Sequence, residues 1–425
     1  MGRQMKDSGV EWIGDIPADW EVSRVKLSVR WKSIKGQPDA TVLSLYRDYG
    51  VIPKDSRDDN HNVTSLDTSG YKVVSVGDFV INKMKAWQGS MGVSEYNGII
   101  SPAYHICEIT NQNIYKKYFH YLMRNQSYLP EYARLSTGMR VGQWDLGFDD
   151  FKNIPYIIPP VNEQKKIVEF IEWQCAKIDV VISKTKETIE EYKRLKQTVI
   201  TEAVTKGVRG DRPMKDSGIE WIGEIPEEWK VVKMKHLGKC RNGLTYSPEN
   251  LVSEDDGILV LRSSNIKDGR LAFTDNVYVN SDVREELMVK AGDILICSRN
   301  GSRALIGKNA LIPDGLSASF GAFMMIFRCQ SPEYVQMILN SAVFSYYLGT
   351  FLTATINQLT AENFNNMQIM YCQNEEEQRE IVEYLKKRSL EIDALIERKI
   401  TLIEELESYK KSMIYEYVTG KKEVP

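Results

Sequence analysis

The sequence is short of every residue cluster that would mark chemistry of its own. Six cysteines lie at 107, 175, 240, 297, 329 and 372, none in a CxxC pair, and 425 residues hold only four histidines. No metal site is expected from such scattered ligands; unpaired cysteines fit small buried hydrophobes in a reducing compartment, so the expected location is cytoplasmic. No run approaches the roughly 18 apolar residues of a membrane span. The start, "MGRQMKDSG", has no apolar core of a secretory signal, and position 6 is Lys where a myristoylation signal has Ser or Thr. A phosphate-cradling G-x-x-x-x-G-K-[ST] is missing, as is a Gly-rich turn placed to bind S-adenosylmethionine. "SPAY" (101–104) and "NIPY" (153–156) each miss by one residue the Asn/Asp/Ser-Pro-Pro-Tyr/Phe loop that holds a flipped base. No catalytic residue is therefore expected.

What is present is repetition. Met5–Val22 and Met214–Val231, 209 residues apart, agree at 13 of 18 positions, including "KDSG" and "EWIG". A repeat of this kind governs the reading of the whole fold. A second pair follows: "NEQKKIVEFI" (162–171) and "EEQREIVEYL" (376–385), 214 residues apart. Each half thus has a repeated opening segment, a divergent middle (23–157 or 232–370) and a repeated tail.

The tails read as long helices. Apolar residues recur at 3-4 spacing through Ile171, Ile178, Ile182 and Ile189 in the first and Leu385, Ile392, Ile396 and Ile403 in the second, the seam of a coiled coil. Pro159, Pro160 and Asn162 signal the first start, Asn374 caps the second, and Gly207 and Gly420 mark the stops. Each helix is about 65 Å long at 1.5 Å per residue. A one-stripe helix of that length needs a partner, and each half offers one to the other. Lys196 and Lys410 interrupt the seams at equivalent positions and are expected to fix alignment, with snorkelling at the seam edge as the alternative.

The middles mix short strands and turns, and both contain a Gly-Asp turn before an apolar strand (Gly77-Asp78, Gly292-Asp293). Two copies of one α/β domain with altered surfaces are implied. Residues 23–157 hold 17 basic against 13 acidic residues, and 232–370 hold 13 of each. Charge gives a weak lead toward nucleic acid in one segment only, within a chain of net charge -3. Side-chain type adds more, because Arg, Asn and Gln form paired bonds to guanine and adenine edges and Lys approaches phosphate. The candidates are Arg47, Lys83, Lys85, Gln88, Arg140 and Gln143 in the first middle. In the second they are Arg262, Ser263, Asn265, Arg299, Asn300, Arg303, Asn357 and Gln358. Ordinary solvated loops are the alternative reading. Trp12 and Trp221, in the opening segments, suit core packing or a partner anchor.

The duplicated "KDSG(V/I)EWIG(D/E)IP", the Pro-Pro-x-Asn-Glu-Gln stretch at 159–164 and the alternation of variable middle and repeated helix resemble the specificity subunit of type I DNA restriction-modification systems. The second helix departs from the pattern, opening with "MYCQNEEEQ" in place of Pro-Pro. The resemblance implies an α+β chain: two similar α/β target recognition domains joined by a coiled coil of two long antiparallel helices with pseudo-two-fold internal repetition. It implies segments at 1–22, 23–157 (first recognition domain), 158–207, 208–231, 232–370 (second recognition domain) and 371–425. It further implies a non-catalytic subunit that reads a bipartite, asymmetric double-stranded DNA site, each domain taking one half while the helices fix the spacer. Two methyltransferase subunits, and restriction/translocase subunits through them, would be partners. S-adenosylmethionine, ATP and Mg would belong to those subunits and no cofactor to this chain; no membrane is involved. A bifunctional DNA adenine methyltransferase and a coiled-coil scaffold without a DNA role are the competing readings.

Overall fold

A computed structural model of the chain describes residues 3–47, 49–57, 64, 67–138, 144–280, 283–352 and 357–425. The chain forms two compact units. Unit 1 comprises Met1–Thr185 with Thr401–Pro425, and unit 2 comprises Lys186–Ile400.

Unit 1 is built on a four-stranded antiparallel sheet. Its strands are β1 (Val29–Lys32), β2 (Asp78–Asn82), β3 (Met91–Val93) and β4 (Tyr104–Ile109), in the order β1-β4-β2-β3. The chain then leaves through the strand Pro155–Ile158, paired with Glu21–Arg24, and enters helix α1 (Val161–Lys206). Unit 2 repeats the design with β5 (Gly238–Asn242), β6 (Ile294–Cys297), β7 (Asn309–Leu311) and β8 (Met324–Cys329), in the order β5-β8-β6-β7. Its exit strand Gln368–Tyr371 pairs with Lys230–Lys233 and leads to α2 (Glu375–Val418). Two middles with little shared sequence thus have one strand order. The Gly-Asp turn shows why that motif persisted. Asp78 accepts from Ser75 N (2.7 Å) and Lys32 Nζ (2.6 Å), and Asp293 accepts from Lys290 N (2.8 Å) and Arg328 (2.6 Å), so each buried carboxylate closes its turn and holds a cation.

The opening segments are hairpins with matching register: Met5–Asp7 on Asp15–Pro17, and Met214–Asp216 on Glu224–Pro226. "KDSG" recurs because each side chain closes the turn. Gly9 N donates to Asp7 Oδ1 (2.9 Å) and Val10 N to Ser8 Oγ (3.1 Å), while Gly218 N and Ile219 N do the same to Asp216 (3.0 Å) and Ser217 (3.1 Å). Gly9 and Gly218 take φ of +71°, which a side chain would strain.

Each hairpin is tied to the first turn of the long helix in its unit. Arg3 Nη2 donates to Glu163 (2.9 Å) and Asp19 (2.9 Å) with its guanidinium over buried Trp20; Arg212 Nη1 donates to Glu377 (2.6 Å) and Glu228 (3.1 Å) over buried Trp229. Gln164 and Gln378, both buried, donate to the carbonyls of Pro159 (2.8 Å) and Cys372 (2.7 Å). The repeated Glu-Gln pair therefore joins hairpin, domain and helix. Where α2 lacks Pro-Pro, Asn374 Oδ1 accepts from Glu376 N (2.9 Å) and Glu377 N (3.1 Å), and the helix starts at Glu375. Gly207 and Gly420 end the helices at φ of +79° and +71°.

The helices run antiparallel within each unit. Lys410 Nζ donates to Asp179 (2.7 Å) in unit 1 and Lys196 Nζ to Asp393 (2.7 Å) in unit 2, equivalent residues of the repeat in both cases. The seam lysines therefore meet carboxylates rather than only snorkelling. Ile171, Ile178, Ile182, Ile189, Leu385 and Ile392 are buried; Ile396 and Ile403 are half-buried. Trp12 and Trp221 are half-buried, Trp12 edge-on to Tyr128 (4.7 Å) and Trp221 stacked on Tyr346 (4.1 Å). The fully buried tryptophans are Trp20 and Trp229, which composition alone did not single out.

Candidate nucleic-acid interface

In unit 1 the polar candidates gather where β2 ends. Asn82 Oδ1 accepts from Met84 N (3.2 Å), capping a tight turn over Lys83–Gln88. That turn exposes Lys85, leaves Gln88 half-buried and sets Lys83 4.0 Å from Asp145. Trp87 and Trp144 contact with ring centroids 5.0 Å apart. Lys72, a residue outside the candidate set, donates to the carbonyls of Tyr104 (2.6 Å) and Pro102 (3.1 Å). Burial, then the charges of Lys83 and Lys35, lower its pKa. Burial lowers the His105 pKa too, with Lys83 and Lys72 adding to it. Lys35, Lys72 and Lys83 thus lie near enough to repel one another, with Lys72 held by carbonyls and Asp145 offsetting part of the Lys83 charge. Arg47 is exposed on the turn between the strands Leu43–Tyr46 and Gly50–Pro53, and its carbonyl accepts from Arg124. Arg140 and Gln143 lie outside the described residues.

In unit 2 the same structural position, the end of β6, carries different residues. Arg299 is exposed and forms an antiparallel bridge with Gln358, itself exposed beside half-buried Asn357. Asn300 Nδ2 donates to Ser263 Oγ (3.1 Å), joining the two loops. Arg262 pairs with Asp275 (2.8 Å), and exposed Arg303 donates to the Gly349 carbonyl (3.4 Å). Phe323, 58% exposed, lies beneath the Arg299 guanidinium (5.2 Å). Asn265 corrects the sequence expectation. It is 0% exposed, accepts from Arg262 N (2.9 Å) and donates to the Ala272 carbonyl (3.1 Å), so it shapes the turn and presents nothing to a base.

Neither tetrapeptide resembling a methyltransferase loop forms a site. The Tyr156 side chain of "NIPY" is buried and bonded to Ser28, and the Ala103 carbonyl of "SPAY" accepts from Lys83 N (3.3 Å). Among the described residues no cluster of three or more His, Cys, Asp or Glu could hold a metal ion, and no helix is long and apolar enough to cross a membrane.

The model of the type I restriction modification DNA specificity domain matches the chain twice, over residues 17–191 and 226–405. The chain belongs to this family. Among curated members, the type I restriction enzyme MjaVIII specificity subunit of Methanocaldococcus jannaschii is 26% identical, over 96% of this chain and 93% of its own length. Among solved structures, a chain from work on complex assembly and conformational transition of the type I R-M system is 16% identical. It covers 96% of this chain and 99% of its own, with a TM-score of 0.70. The HsdS subunit from Thermoanaerobacter tengcongensis is 15% identical, over 96% and 98% of the two chains, with a TM-score of 0.50. At these identities the two structures speak for the fold alone. The paired family matches coincide with the two sheets of like strand order and with most of both long helices.

Proposed function

We propose that this chain is the DNA-reading, non-catalytic subunit of a type I restriction-modification assembly. The recognition domains, 23–157 and 232–370, each read one half of a bipartite, asymmetric duplex site. The long helices between them set an unread spacer. Adenine methylation and cleavage fall to partners: two methyltransferase subunits carrying S-adenosylmethionine, and restriction subunits using ATP and Mg. In unit 1, Lys83, Lys85, Gln88 and Arg47 face the DNA, and Arg140 and Gln143 are further candidates; in unit 2, Arg262, Ser263, Arg299, Asn300, Arg303, Asn357 and Gln358 do so. Trp12 and Trp221 brace the hairpins on which partners would dock.

One observation carries the reading. The same strand order ends in a loop reading Lys83–Gln88 in one unit and Ser298–Arg303 in the other, so one scaffold presents two different sets of base-edge donors. Different half-sites follow. The test is exchange of residues 23–157 for the corresponding domain of a relative, with methylated positions sequenced after assembly with the methyltransferase partner. One half-site is expected to change while the other half-site and the spacer persist. A change in both halves would remove the modular reading, and no sequence preference at all would leave a scaffold.

A further inference from the structure

Phe323 occupies an unusual place for a large apolar side chain. It precedes β8 in a tight turn closed by Met324 N donating to the Gly321 carbonyl (2.8 Å). Its own carbonyl accepts from Ser298 N (3.0 Å), Ser298 Oγ (2.9 Å) and Arg299 N (3.1 Å), so the backbone is anchored to the end of β6 by three donors. The ring nevertheless stands 58% exposed, beneath the guanidinium of Arg299, whose backbone bridges to Gln358. Single exposed apolar residues are common and need no account. This one differs in having its backbone anchored by three hydrogen bonds and its ring directly beside a base-edge donor, Arg299. The equivalent place before β4 in unit 1 is Ala103, whose carbonyl accepts the corresponding loop amide, Lys83 N (3.3 Å). The aromatic ring is thus a feature of the second domain only.

We propose that Phe323 is a specificity-determining residue of the second domain, packing against the 5-methyl group of a thymine in the second half-site; this rests on the DNA-reading role given above. The methyl group is what distinguishes thymine as an apolar surface in the major groove, and Phe is a side chain that contacts it. Arg299 lies over one face of the ring at 5.2 Å, which leaves one face and the edge to offer. A wedge inserted between base pairs needs both faces, so side-on methyl contact is the better fit. Arg299 beside it is placed to reach a neighbouring guanine through O6 and N7.

The experiment uses the full chain assembled with its methyltransferase partner on a library of duplexes with both half-sites randomised. Phe323→Ala and Phe323→Leu are compared with wild type after equal thermal unfolding shows each variant folded. Phe323→Ala is expected to lose about four- to tenfold discrimination at one thymine of the second half-site, leaving the first half-site untouched. Phe323→Leu keeps most of the preference. Deoxyuridine at that thymine costs wild type a similar factor and costs Phe323→Ala nothing more. An unchanged profile for Phe323→Ala, or a loss at a base other than thymine, overturns the assignment. So does bright 2-aminopurine fluorescence beside the contacted step in wild type and its loss in Phe323→Ala, which would reveal a wedge. A wild-type assembly without any sequence preference would instead defeat the DNA-reading role, and the Phe323 assignment with it.

Discussion

In unit 1 the carboxylate at the start of the long helix, Glu163, receives the Arg3 guanidinium and the Trp20 indole N–H (3.0 Å); in unit 2 its counterpart Glu377 receives Arg212 and, in place of an indole, the Cys372 thiol (3.4 Å). Trp229 Nε1 has no hydrogen-bond partner among the described residues. Cys372 stands where unit 1 has Pro159, as the glutamine bonds to both carbonyls show. Burial, with the Glu377 charge adding to it, pushes the Cys372 thiol up to about 12, so it remains a protonated donor. The comparison teaches where change is tolerated. A joint that must hold hairpin, domain and helix together kept its carboxylate and arginine while exchanging one donor for another. The loops at the ends of β2 and β6 had no such duty and diverged without trace of common sequence.

The most drastic way to break the comparison is to remove one half. Asp179 and Lys196 in α1 are the repeat equivalents of Asp393 and Lys410, their partners' positions in α2. A fragment of residues 1–213 therefore carries both members of the pairing and the isoleucine seam, and a second copy can supply what α2 supplied. It is expected to dimerise and, with the methyltransferase partner, to direct methylation to an inverted repeat of the first half-site. Sedimentation and sequencing of modified positions check this. A monomer that still directs the original asymmetric site would show the repeat to be ornamental.

Next in size is the joint itself. Glu377 is 1% exposed, and Glu377→Ala leaves Arg212 only the exposed Glu228 and the Lys206 carbonyl as partners; breaks in buried pairs cost about 3–5 kcal/mol, and the loss is expected at the lower end of that range. Glu163→Ala breaks a more solvated pair and is expected to cost about 2 kcal/mol, part of it the indole bond. Denaturant unfolding monitored separately in each unit reads the difference. Equal losses would mean that solvent exposure does not distinguish the joints.

A pH effect should distinguish the units as well. His120 Nδ1 accepts from Val93 N (3.1 Å), and burial, with Arg124 and Lys117 nearby, pulls its pKa down to about 3. The unfolded chain then binds the extra proton first, so this contribution is complete above the ordinary histidine pKa of about 6.5 and is lost as pH falls below it. With the ring mostly buried, about 1–2 kcal/mol between pH 6.5 and 5 is expected, confined to unit 1, since the equivalent helix of unit 2 carries Gln336. Hydrogen exchange at Val93 across that range checks it, and His120→Asn should flatten the dependence. Smallest are the seam pairs. Lys196→Ala and Lys410→Ala each remove a partly exposed ion pair worth about 0.2–1 kcal/mol, and the two losses should be equal and additive in thermal unfolding.

Much of this molecule was open to reading before any fold was known. The helices follow from a 3-4 apolar spacing, the caps from Asn374, Gly207 and Gly420, and the two-domain plan from a repeat that survives because its side chains close turns and joints. These signals are local or periodic, and a chain cannot hide them. The partners of Glu163 and Glu377, the acids that meet Lys196 and Lys410, the buried place of Asn265 and the exposed one of Phe323 were not legible in the same way. Arg3 lies 160 residues from Glu163 and Lys410 lies 231 from Asp179, and no spacing rule spans such distances. Sequence by itself therefore determined the elements and their duplication, because helix periodicity and turn chemistry act within a few residues. Only the tertiary structure decided which loop side chains are tied into turns and which stand exposed, because that depends on which distant segments pack beside them.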